Sequence, residues 1–488
     1  MTILRSKYLI PAGFALIFLL LPTHNSGIDA YAYASAVKWG TELVWPHHLL
    51  VCFLGRAIFN LTRFFLAAPD ALVLMKGVNA LAAGFSLYFF YRILESLKIY
   101  KAGYFVIFCG ACFGFMRFAT ESETYVLPIL CSLAATYCFV VYFEMKSGLW
   151  LCLSGLLFGL GALFHQIHIF WFGGFALALY FSKPKTRVGH RLLFLFSGGF
   201  ILFVTYFIVY HWGDSGQPEG WGRFLFRDVY AGRVETRLSW RNLLMTPVSL
   251  VRTFIQVHGY MADLLKAFPV LYLVLASFIL VVGMSIKKLV THTRRVTTEL
   301  KPVSKAVLYA LLLQFAFAFY SVGNAEFMVM LPFLAILWLV MNFAIPVRPV
   351  LHIALALLFY NGVFGLLPLH FLDMDGSSAL IEKMKKEPNA VWVLDEPQKM
   401  ENRFRYESGN SPLILKTTDN FSKYLKDGRV LTDVPFSPKG LNRQRLLSEA
   451  NTEEVWKNYE LSLLDSIAFF GGIKKIHRVD ERQGKGLR

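Results

Sequence analysis

Long apolar runs separated by short polar connections dominate the chain up to about residue 370. An apolar run of roughly 20 residues can cross a bilayer as a helix, and the pattern predicts about eleven such spans. They lie near residues 8–22, 70–94, 103–119, 125–143, 149–164, 166–182, 192–211, 265–286, 306–321, 327–345 and 349–369. The first run follows Arg5 and Lys7 as in a signal peptide, but no cleavage site precedes Asp29, which favours a retained span. The pattern therefore indicates a mainly α, polytopic helical membrane protein.

The composition supports this fold class. Mean hydropathy is +0.50, and only 17% of residues are charged, against about a quarter in soluble domains. This excludes a water-soluble enzyme of 488 residues. The formal charge of +17 indicates the orientation in the membrane and contact with anionic lipid, rather than binding to nucleic acid. All six cysteines lie in apolar runs, where cysteine acts as a small hydrophobe, so no disulfide framework is implied.

The orientation follows from the basic connections. Lys98, Lys101, Lys146, Lys287, Arg294 and their neighbours fall on the side of the N-terminus, which the positive-inside rule assigns to the cytoplasm. An odd number of spans then places the C-terminus outside. We interpret Val44–Leu66 as a helix lying on the outer leaflet, because a span there would reverse every later connection. We expect a multi-pass protein of a bacterial inner or plasma membrane.

The chain becomes polar after residue 370, and we expect two domains, a membrane domain of residues 1–370 and an extracytoplasmic α/β domain of residues 371–488. β-type runs alternate there with helical patterns. The runs are Ala390–Leu394, Pro412–Lys416, Arg429–Val434 and Ile473–Val479, and the helical patterns lie near 378–387, 418–426 and 443–458. We find no phosphate-cradling glycine motif and no nucleophile motif, so we expect this domain to bind acceptor or to support the membrane domain.

Acidic residues cluster at span ends on the predicted outer side, where ionisable groups are costly and often functional. Asp29 follows the first span and could accept a proton from an attacking hydroxyl as a general base. The alternative is a helix N-cap. Glu121, Glu123 and Glu326 begin later spans, and their alternative role is to complement a helix dipole.

Histidines, aromatic residues and arginines occur on the same predicted side. Trp45-Pro46-His47-His48 could line a sugar pocket, although interfacial Trp and His also occur without function. His165 and His168 could share a helical face, but they lack a third zinc ligand nearby. The connection 211–266 carries Arg223, Arg227 and Arg237 among aromatic residues. Arginine there could bind a lipid phosphate bidentately or simply be attracted to anionic head groups.

These residues resemble the GT-C-type integral-membrane glycosyltransferases, and among them the protein O-mannosyltransferase-like branch. The resemblance rests on Asp29 in the first outer loop, on Trp45-Pro46-His47-His48, on Glu121-Ser-Glu123-Thr-Tyr125 and on Gly323-Asn-Ala-Glu326-Phe. It implies transfer of a sugar from a polyprenyl-phosphate-linked donor to an extracytoplasmic acceptor hydroxyl of a glycan, lipid or protein, with Asp29 as general base. No cofactor is firmly implied, and a divalent metal is the one candidate. Donor or acceptor binding is then expected of Tyr33, His47, His48, Glu123, Tyr125, His165, Arg223, Arg227, Arg237 and Glu326.

Three other functions stay open from the sequence. A transporter or flippase would carry polar residues within spans, for which Lys76 and Asn79 are the main candidates. A non-enzymatic component of envelope assembly would need no catalytic aspartate. An enzyme similar to O-antigen ligases or polymerases would use outer Arg and His residues without depending on Asp29.

Overall fold

The computed structural model describes residues 2–181, 187–212, 220–231, 238–257, 259–296, 301–415, 422–425, 429–434 and 459–481. The side chains of residues 2–6 are outside this description. The described residues also do not include Arg237, the helix expected at 443–458 or most of the helix expected at 418–426.

The chain divides into two compact units, which we call the membrane unit and the C-terminal unit. The membrane unit comprises residues 1–23, 42–257 and 272–367, and the C-terminal unit comprises residues 24–41, 258–271 and 368–488. The expected division at residue 370 does not include the first two segments of the C-terminal unit.

The membrane unit is built from helices. These are Thr2–Leu20, Val51–Thr62, Ala71–Ser96, Ala102–Gly110, Phe113–Ala119, Val126–Met145, Gly148–Phe164, Ile169–Phe181, Val188–Trp212, Trp221–Leu225, Arg227–Tyr230, Trp240–Phe254, Leu271–His292, Lys301–Tyr320, Leu331–Asn342 and Val347–Asn361. Three-residue or four-residue 3₁₀ turns occur at Pro46–His48, Gln166–His168 and Ala325–Met328, and a π-helical turn at Gly362–Leu366. Two short antiparallel strands, Arg294–Arg295 and Phe343–Ala344, pair with each other.

Helices occur at each of the predicted spans, but the span predicted at 265–286 is displaced, because the chain leaves the helix at residues 268–270 and the spanning helix is Leu271–His292. Seven described helices are long and apolar enough to cross a membrane, or eight if one bent pair forms a single span. The other predicted spans correspond to shorter apolar helices at Lys7–Leu20, Gly148–Phe164 and Gln166–Phe181. The chain is an integral, multi-pass membrane protein, and the total of eleven spans stays a prediction.

The expected continuous span at 103–119 is wrong in detail, because the helix breaks at Ala111 and Cys112 with a bend of 68°. The amide of Asn361 donates to the carbonyl of Ala111 at 2.7 Å. It also donates to the carbonyl of Phe254 at 2.8 Å, and its oxygen accepts the backbone N–H of Gln256 at 2.9 Å. One distant side chain thus satisfies the Ala111 carbonyl at the helix break and backbone groups at the end of helix Trp240–Phe254, as hydrocarbon surroundings require.

Small residues let two helices of the core approach closely. A side chain added at Gly174 would lie 2.3 Å from the backbone nitrogen of Ala310, so helices Ile169–Phe181 and Lys301–Tyr320 meet nearly backbone to backbone. Such contacts are typical of helix association in membranes. Around them the core is aromatic, with Trp171, Phe90 and Phe115 among its largest fully buried side chains.

Two polar residues of helix Ala71–Ser96 hold neighbouring connections in place. The buried Lys76 ammonium donates to the carbonyl of Thr23 at 2.7 Å and lies 3.8 Å from the Glu121 carboxylate. The buried Asn79 amide donates to the carbonyls of Glu121 and Glu123 at 2.7 and 2.6 Å. These contacts fix the segment that leads into helix Val126–Met145.

The C-terminal unit contains a five-stranded mixed sheet. Its strands lie in the order Ile414–Leu415, Val391–Val393, Val430–Thr432, Gly472–Glu481 and Tyr459–Phe469. The first three are parallel, and the last two join as antiparallel neighbours. The described helices are Ile28–Trp39, Met261–Ala267, Leu367–Phe371, Ser377–Lys386 and Pro397–Ser408, with a 3₁₀ turn at Ser422–Tyr424. The sequence analysis did not anticipate helix Pro397–Ser408 or strand Tyr459–Phe469.

We predict that Asn79→Leu destabilises the protein by about 1–3 kcal/mol, because it leaves the buried carbonyl of Glu121 and the partly buried carbonyl of Glu123 without their donor. Chemical and thermal unfolding in detergent would measure the loss. Asn60→Leu, at an exposed position of helix Val51–Thr62, is the matched control and should change little. Equal stabilities of the Asn79 and Asn60 variants would contradict a structural role for this amide.

Candidate functional site

The turn Pro46–His48 presents two adjacent imidazoles, and its shape is fixed by side chains from other helices. The hydroxyl of Tyr206 donates to the carbonyl of Pro46 at 2.7 Å. The Gln166 amide donates to the same carbonyl at 3.2 Å and to the Tyr206 hydroxyl at 2.9 Å. Proline at the first position of the turn supplies a preset φ. The helix predicted over Val44–Leu66 is therefore this turn followed by helix Val51–Thr62.

Four rings form a continuous row, which we call the histidine–tyrosine row. The ring centroids of His47 and His48 are 4.0 Å apart, and those of His48 and His165 are 4.2 Å apart. The Tyr125 ring follows, 5.0 Å from that of His165. The structure thus brings together four residues from three separate regions of the sequence.

A carboxylate lies at each end of the row. The hydroxyl of Tyr125 donates to Oε2 of Glu326 at 2.8 Å, and Glu326 sits in the first turn of Ala325–Met328. The Asn324 side chain accepts the backbone N–H of Glu326 at 3.1 Å and caps that turn. At the other end, the imidazole of His47 contacts the Asp228 carboxylate. The row is thus a polar path through aromatic surroundings, with acceptor groups at both ends.

The inner imidazoles of the row are neutral at physiological pH. Burial lowers the pKa of His48 well below its usual range, and the neighbouring His47 and His165 lower it further. The pKa of His165 is lowered by burial and by His168 and His47. A neutral imidazole can both donate and accept hydrogen bonds, which suits it to contacts with sugar hydroxyls. His48 Nε2 already lies 3.4 Å from the Thr124 hydroxyl.

His168 does not join the row. Its Nδ1 lies 2.7 Å from the Ser132 hydroxyl, and its ring stacks near Trp171 with centroids 5.9 Å apart. The predicted shared helical face of His165 and His168 is wrong, because His165 is extended and caps the turn Gln166–His168. Among the described residues, no group of three or more His, Cys, Asp or Glu is arranged to hold a metal ion.

The expected helix-dipole role of Glu121 and Glu123 is also wrong. Helix Val126–Met145 begins after Tyr125, so both carboxylates precede its first turn. The Glu121 carboxylate accepts the backbone N–H of Ser122 at 2.9 Å and is buried beside Lys76. Glu123 contributes its carbonyl to Asn79 and has a partly exposed side chain.

The arginine-rich connection contains short helices rather than a continuous loop. Arg223 and Arg227 are exposed, while Phe224 between them is buried against Leu49 and Tyr206. Phe224 therefore fixes the segment on the membrane unit and leaves both guanidinium groups accessible. Arg237 lies outside the described residues.

Asp29 and Tyr33 belong to the C-terminal unit, on helix Ile28–Trp39. The N-cap of this helix is Gly27, so the N-cap alternative for Asp29 is wrong; the carboxylate lies in the first turn and is exposed. Tyr33 is buried, with 2% of its surface exposed.

Helix Ile28–Trp39 is attached to helix Pro397–Ser408. The Asn402 amide donates to the carbonyl of Ile28 at 3.1 Å. Lys38 Nζ and Trp39 Nε1 each donate at 2.9 Å to the carbonyls of Tyr406 and Arg405. These bonds lie at both ends of the short helix, so its position is set by the C-terminal unit.

Sequence reasoning missed Asp228, Gln166 and Tyr206. The sequence offers a signal for Asp228, because it is the one acidic residue between Arg223 and Tyr230. In the structure its side chain is buried. Gln166 lies between two histidines in an apolar turn, which marks it as a costly polar residue. Tyr206 sits in an aromatic span and carries no such signal.

We predict that the row makes the protein sensitive to acid. Because the folded pKa of His48 is depressed, the unfolded chain binds a proton below about pH 6.5 that the folded chain does not, so stability falls as pH decreases. Between pH 7.5 and 5.0 the free energy of unfolding of the wild type should fall more than that of His48→Asn. Unfolding measured at both pH values tests this. His211→Asn, which removes an exposed histidine, should behave as wild type, and an equal acid loss in the His48 variant would refute the assignment.

Comparisons with known proteins find similar structures but no similar sequence. No protein-family model matches the sequence, and no curated protein matches it significantly. The structure is similar to that of ArnT from Cupriavidus metallidurans bound to undecaprenyl phosphate, with a TM-score of 0.55 and 9% identity over 96% of this chain and 97% of that protein. Apo ArnT gives a TM-score of 0.54 and 10% identity over 96% and 97%.

The structure is less similar to that of the archaeal oligosaccharyltransferase AglB from Archaeoglobus fulgidus, with a TM-score of 0.46 and 12% identity. This match covers 96% of this chain and 74% of that protein. The similarity to ArnT extends over nearly the full length of both chains. The structure therefore resembles the GT-C membrane fold that the sequence analysis expects.

Proposed function

We propose that the protein is a membrane glycosyltransferase that moves a hexosyl or pentosyl group from a polyprenyl-phosphate-linked donor to an extracytoplasmic acceptor hydroxyl. The observation that carries this proposal is the fold shared, over 96% of the chain, with an ArnT structure that holds undecaprenyl phosphate. The acceptor is a glycan, a lipid or a protein, and the O-mannosyltransferase-like branch is part of the proposal. The N-terminus is cytoplasmic and the C-terminal unit extracytoplasmic, which follows from the basic connections.

Asp29 is the proposed general base. In the transfer, the acceptor oxygen forms a bond to the anomeric carbon while the bond from that carbon to the phosphate oxygen breaks. The acceptor proton passes to the Asp29 carboxylate, and polyprenyl phosphate leaves. An exposed carboxylate in a helix fixed at both ends is accessible to an acceptor and held in one orientation. General-base assistance of this kind contributes about 10²–10⁴-fold.

The leaving phosphate needs compensation for its negative charge. Arg223 and Arg227 are the proposed donors because both guanidinium groups are exposed on a segment that Phe224 fixes. Arg237 is proposed for the same role from the sequence. The planar guanidinium donates two parallel hydrogen bonds to phosphate oxygens, and stabilises the charge that develops as the glycosidic bond breaks.

The histidine–tyrosine row is proposed to bind the sugar or the acceptor. Its neutral imidazoles and the Tyr125 hydroxyl offer both donors and acceptors, and Glu326 and Glu123 add carboxylate acceptors. Asp228 holds His47 at one end of the row. Tyr33, buried in the helix that carries Asp29, is proposed as a further contact.

The structure gives Lys76 and Asn79 a role other than the transport path considered from the sequence. Each already donates to backbone carbonyls of the membrane unit. Their polar groups therefore serve the architecture of the span ends.

We predict that Asp29→Asn lowers single-turnover transfer by roughly 10²-fold or more, because the amide keeps the shape but cannot accept the proton. Donor binding should stay near wild type, and stability should fall by no more than about 1 kcal/mol, the value of a first-turn carboxylate. The measurement is transfer from a polyprenyl-phosphate sugar by the purified variant, with its unfolding temperature.

Asp70→Asn is the matched control for this experiment. Asp70 is exposed and caps helix Ala71–Ser96 by accepting the backbone N–H of Val73 at 2.9 Å. Asparagine caps a helix equally well, so this variant should retain both turnover and stability. Near-normal turnover of Asp29→Asn would eliminate Asp29 as the base and favour an enzyme similar to O-antigen ligases.

A further inference from the structure

A groove on the membrane unit lies between helices Leu271–His292 and Val347–Asn361. It encloses a cavity of about 550 Å³ whose walls are mostly apolar, including Val281, Met284, Leu355 and Phe359. Three of these side chains are well exposed, with 51% of Met284, 47% of Leu355 and 61% of Phe359 accessible. Exposed apolar groups on membrane-spanning helices face lipid chains, so the groove opens toward the bilayer.

The two helices run in opposite directions, which fixes the polarity of the groove. Arg294 and Arg295, just beyond the end of the first helix, pair in register with Ala344 and Phe343, just before the second helix begins. Lys288 and His352, which both line the groove, therefore lie near the same end. At the other end the rings of Phe278 and Tyr360 stack with centroids 4.3 Å apart.

The length of the groove matches one leaflet. Lys288 lies ten residues beyond Phe278 on one helix, and a rise of 1.5 Å per residue separates them by about 15 Å. The hydrocarbon core of a bilayer is about 30 Å thick, so this distance is about half of it. The groove therefore suits acyl chains whose headgroup lies at the level of Lys288.

The headgroup end is strongly basic. Lys287, Lys288, Arg294, Arg295 and Arg348 are all exposed there. Residues 271–298 and 341–370 contain no Asp or Glu, and within the described part of the chain no ion pair neutralises the Lys288 ammonium. Basic pockets between membrane-spanning helices are suited to anionic lipid headgroups.

We propose that this groove is a binding site for an anionic glycerophospholipid. The acyl chains lie between the two helices, and the phosphate is held by Lys288 with His352, inside the field of the surrounding arginines. The occupant is a lipid of one leaflet, distinct in its headgroup and its chain from the polyprenyl-phosphate donor. The observation behind this choice is the coincidence of an apolar groove one leaflet long with an exposed basic end.

The test is native mass spectrometry of the purified protein titrated with phosphatidylglycerol or with phosphatidylcholine of the same acyl chains. We expect phosphatidylglycerol to bind more tightly. Lys288→Gln should weaken its binding about fivefold, the effect of one cation near a membrane surface, and should weaken phosphatidylcholine binding less, because the choline ammonium already compensates the charge of its phosphate. Lys146→Gln, which removes an exposed cation from a different connection, should leave both affinities as in wild type.

A second variant tests the acyl chains. Ala356 lines the groove, and Ala356→Phe should lower binding of both lipids by filling it. The proposal is overturned by equal wild-type affinities for the two lipids, by unchanged phosphatidylglycerol binding in Lys288→Gln or Ala356→Phe, or by the same loss in Lys146→Gln. It is also overturned if undecaprenyl phosphate displaces phosphatidylglycerol from the site stoichiometrically.

Discussion

The hydrogen bonds of Lys76 and Asn79 to backbone carbonyls are the interaction on which the membrane unit most depends. Both donors lie on a membrane-spanning helix, and their acceptors belong to Thr23, Glu121 and Glu123. In hydrocarbon, a backbone carbonyl that leaves regular structure has no water to bind, so a side chain must supply its partner. Asn361 does the same at the break of helix Ala102–Gly110. Irregular backbone is thereby allowed near the span ends.

This arrangement explains why polar residues of the membrane unit gather where the helices end. The segment held by Asn79 leads directly to Thr124 and Tyr125, and Tyr125 is one end of the histidine–tyrosine row. The other end, Pro46–His48, is held by Gln166 and Tyr206. The proposed base belongs to the C-terminal unit, whose helix Pro397–Ser408 fixes the helix of Asp29. Contacts within the C-terminal unit thus hold the helix that carries the proposed base.

The sequence predicts most of the helices well because hydrophobic length alone determines a span, and a helix occurs at each predicted span. It does not predict the 68° bend at Ala111, because the stabilising amide lies 250 residues away and no proline marks the site. The histidines of the row are each identifiable from sequence, but their contacts depend on packing between distant turns. Helix Pro397–Ser408 was missed because its polar sequence has few apolar positions to show a helical period.

The fate of the donor tests the proposed sugar transfer most directly. The purified protein, reconstituted in vesicles, is given labelled polyprenyl-phosphate hexoses and pentoses with an envelope extract as acceptor, and both products are quantified. We expect that, for at least one donor, glycosylated acceptor and free polyprenyl phosphate form in equal amounts. Donor that crosses the bilayer intact, with no cleavage of the bond between sugar and phosphate for any sugar, would contradict it and indicate a transporter.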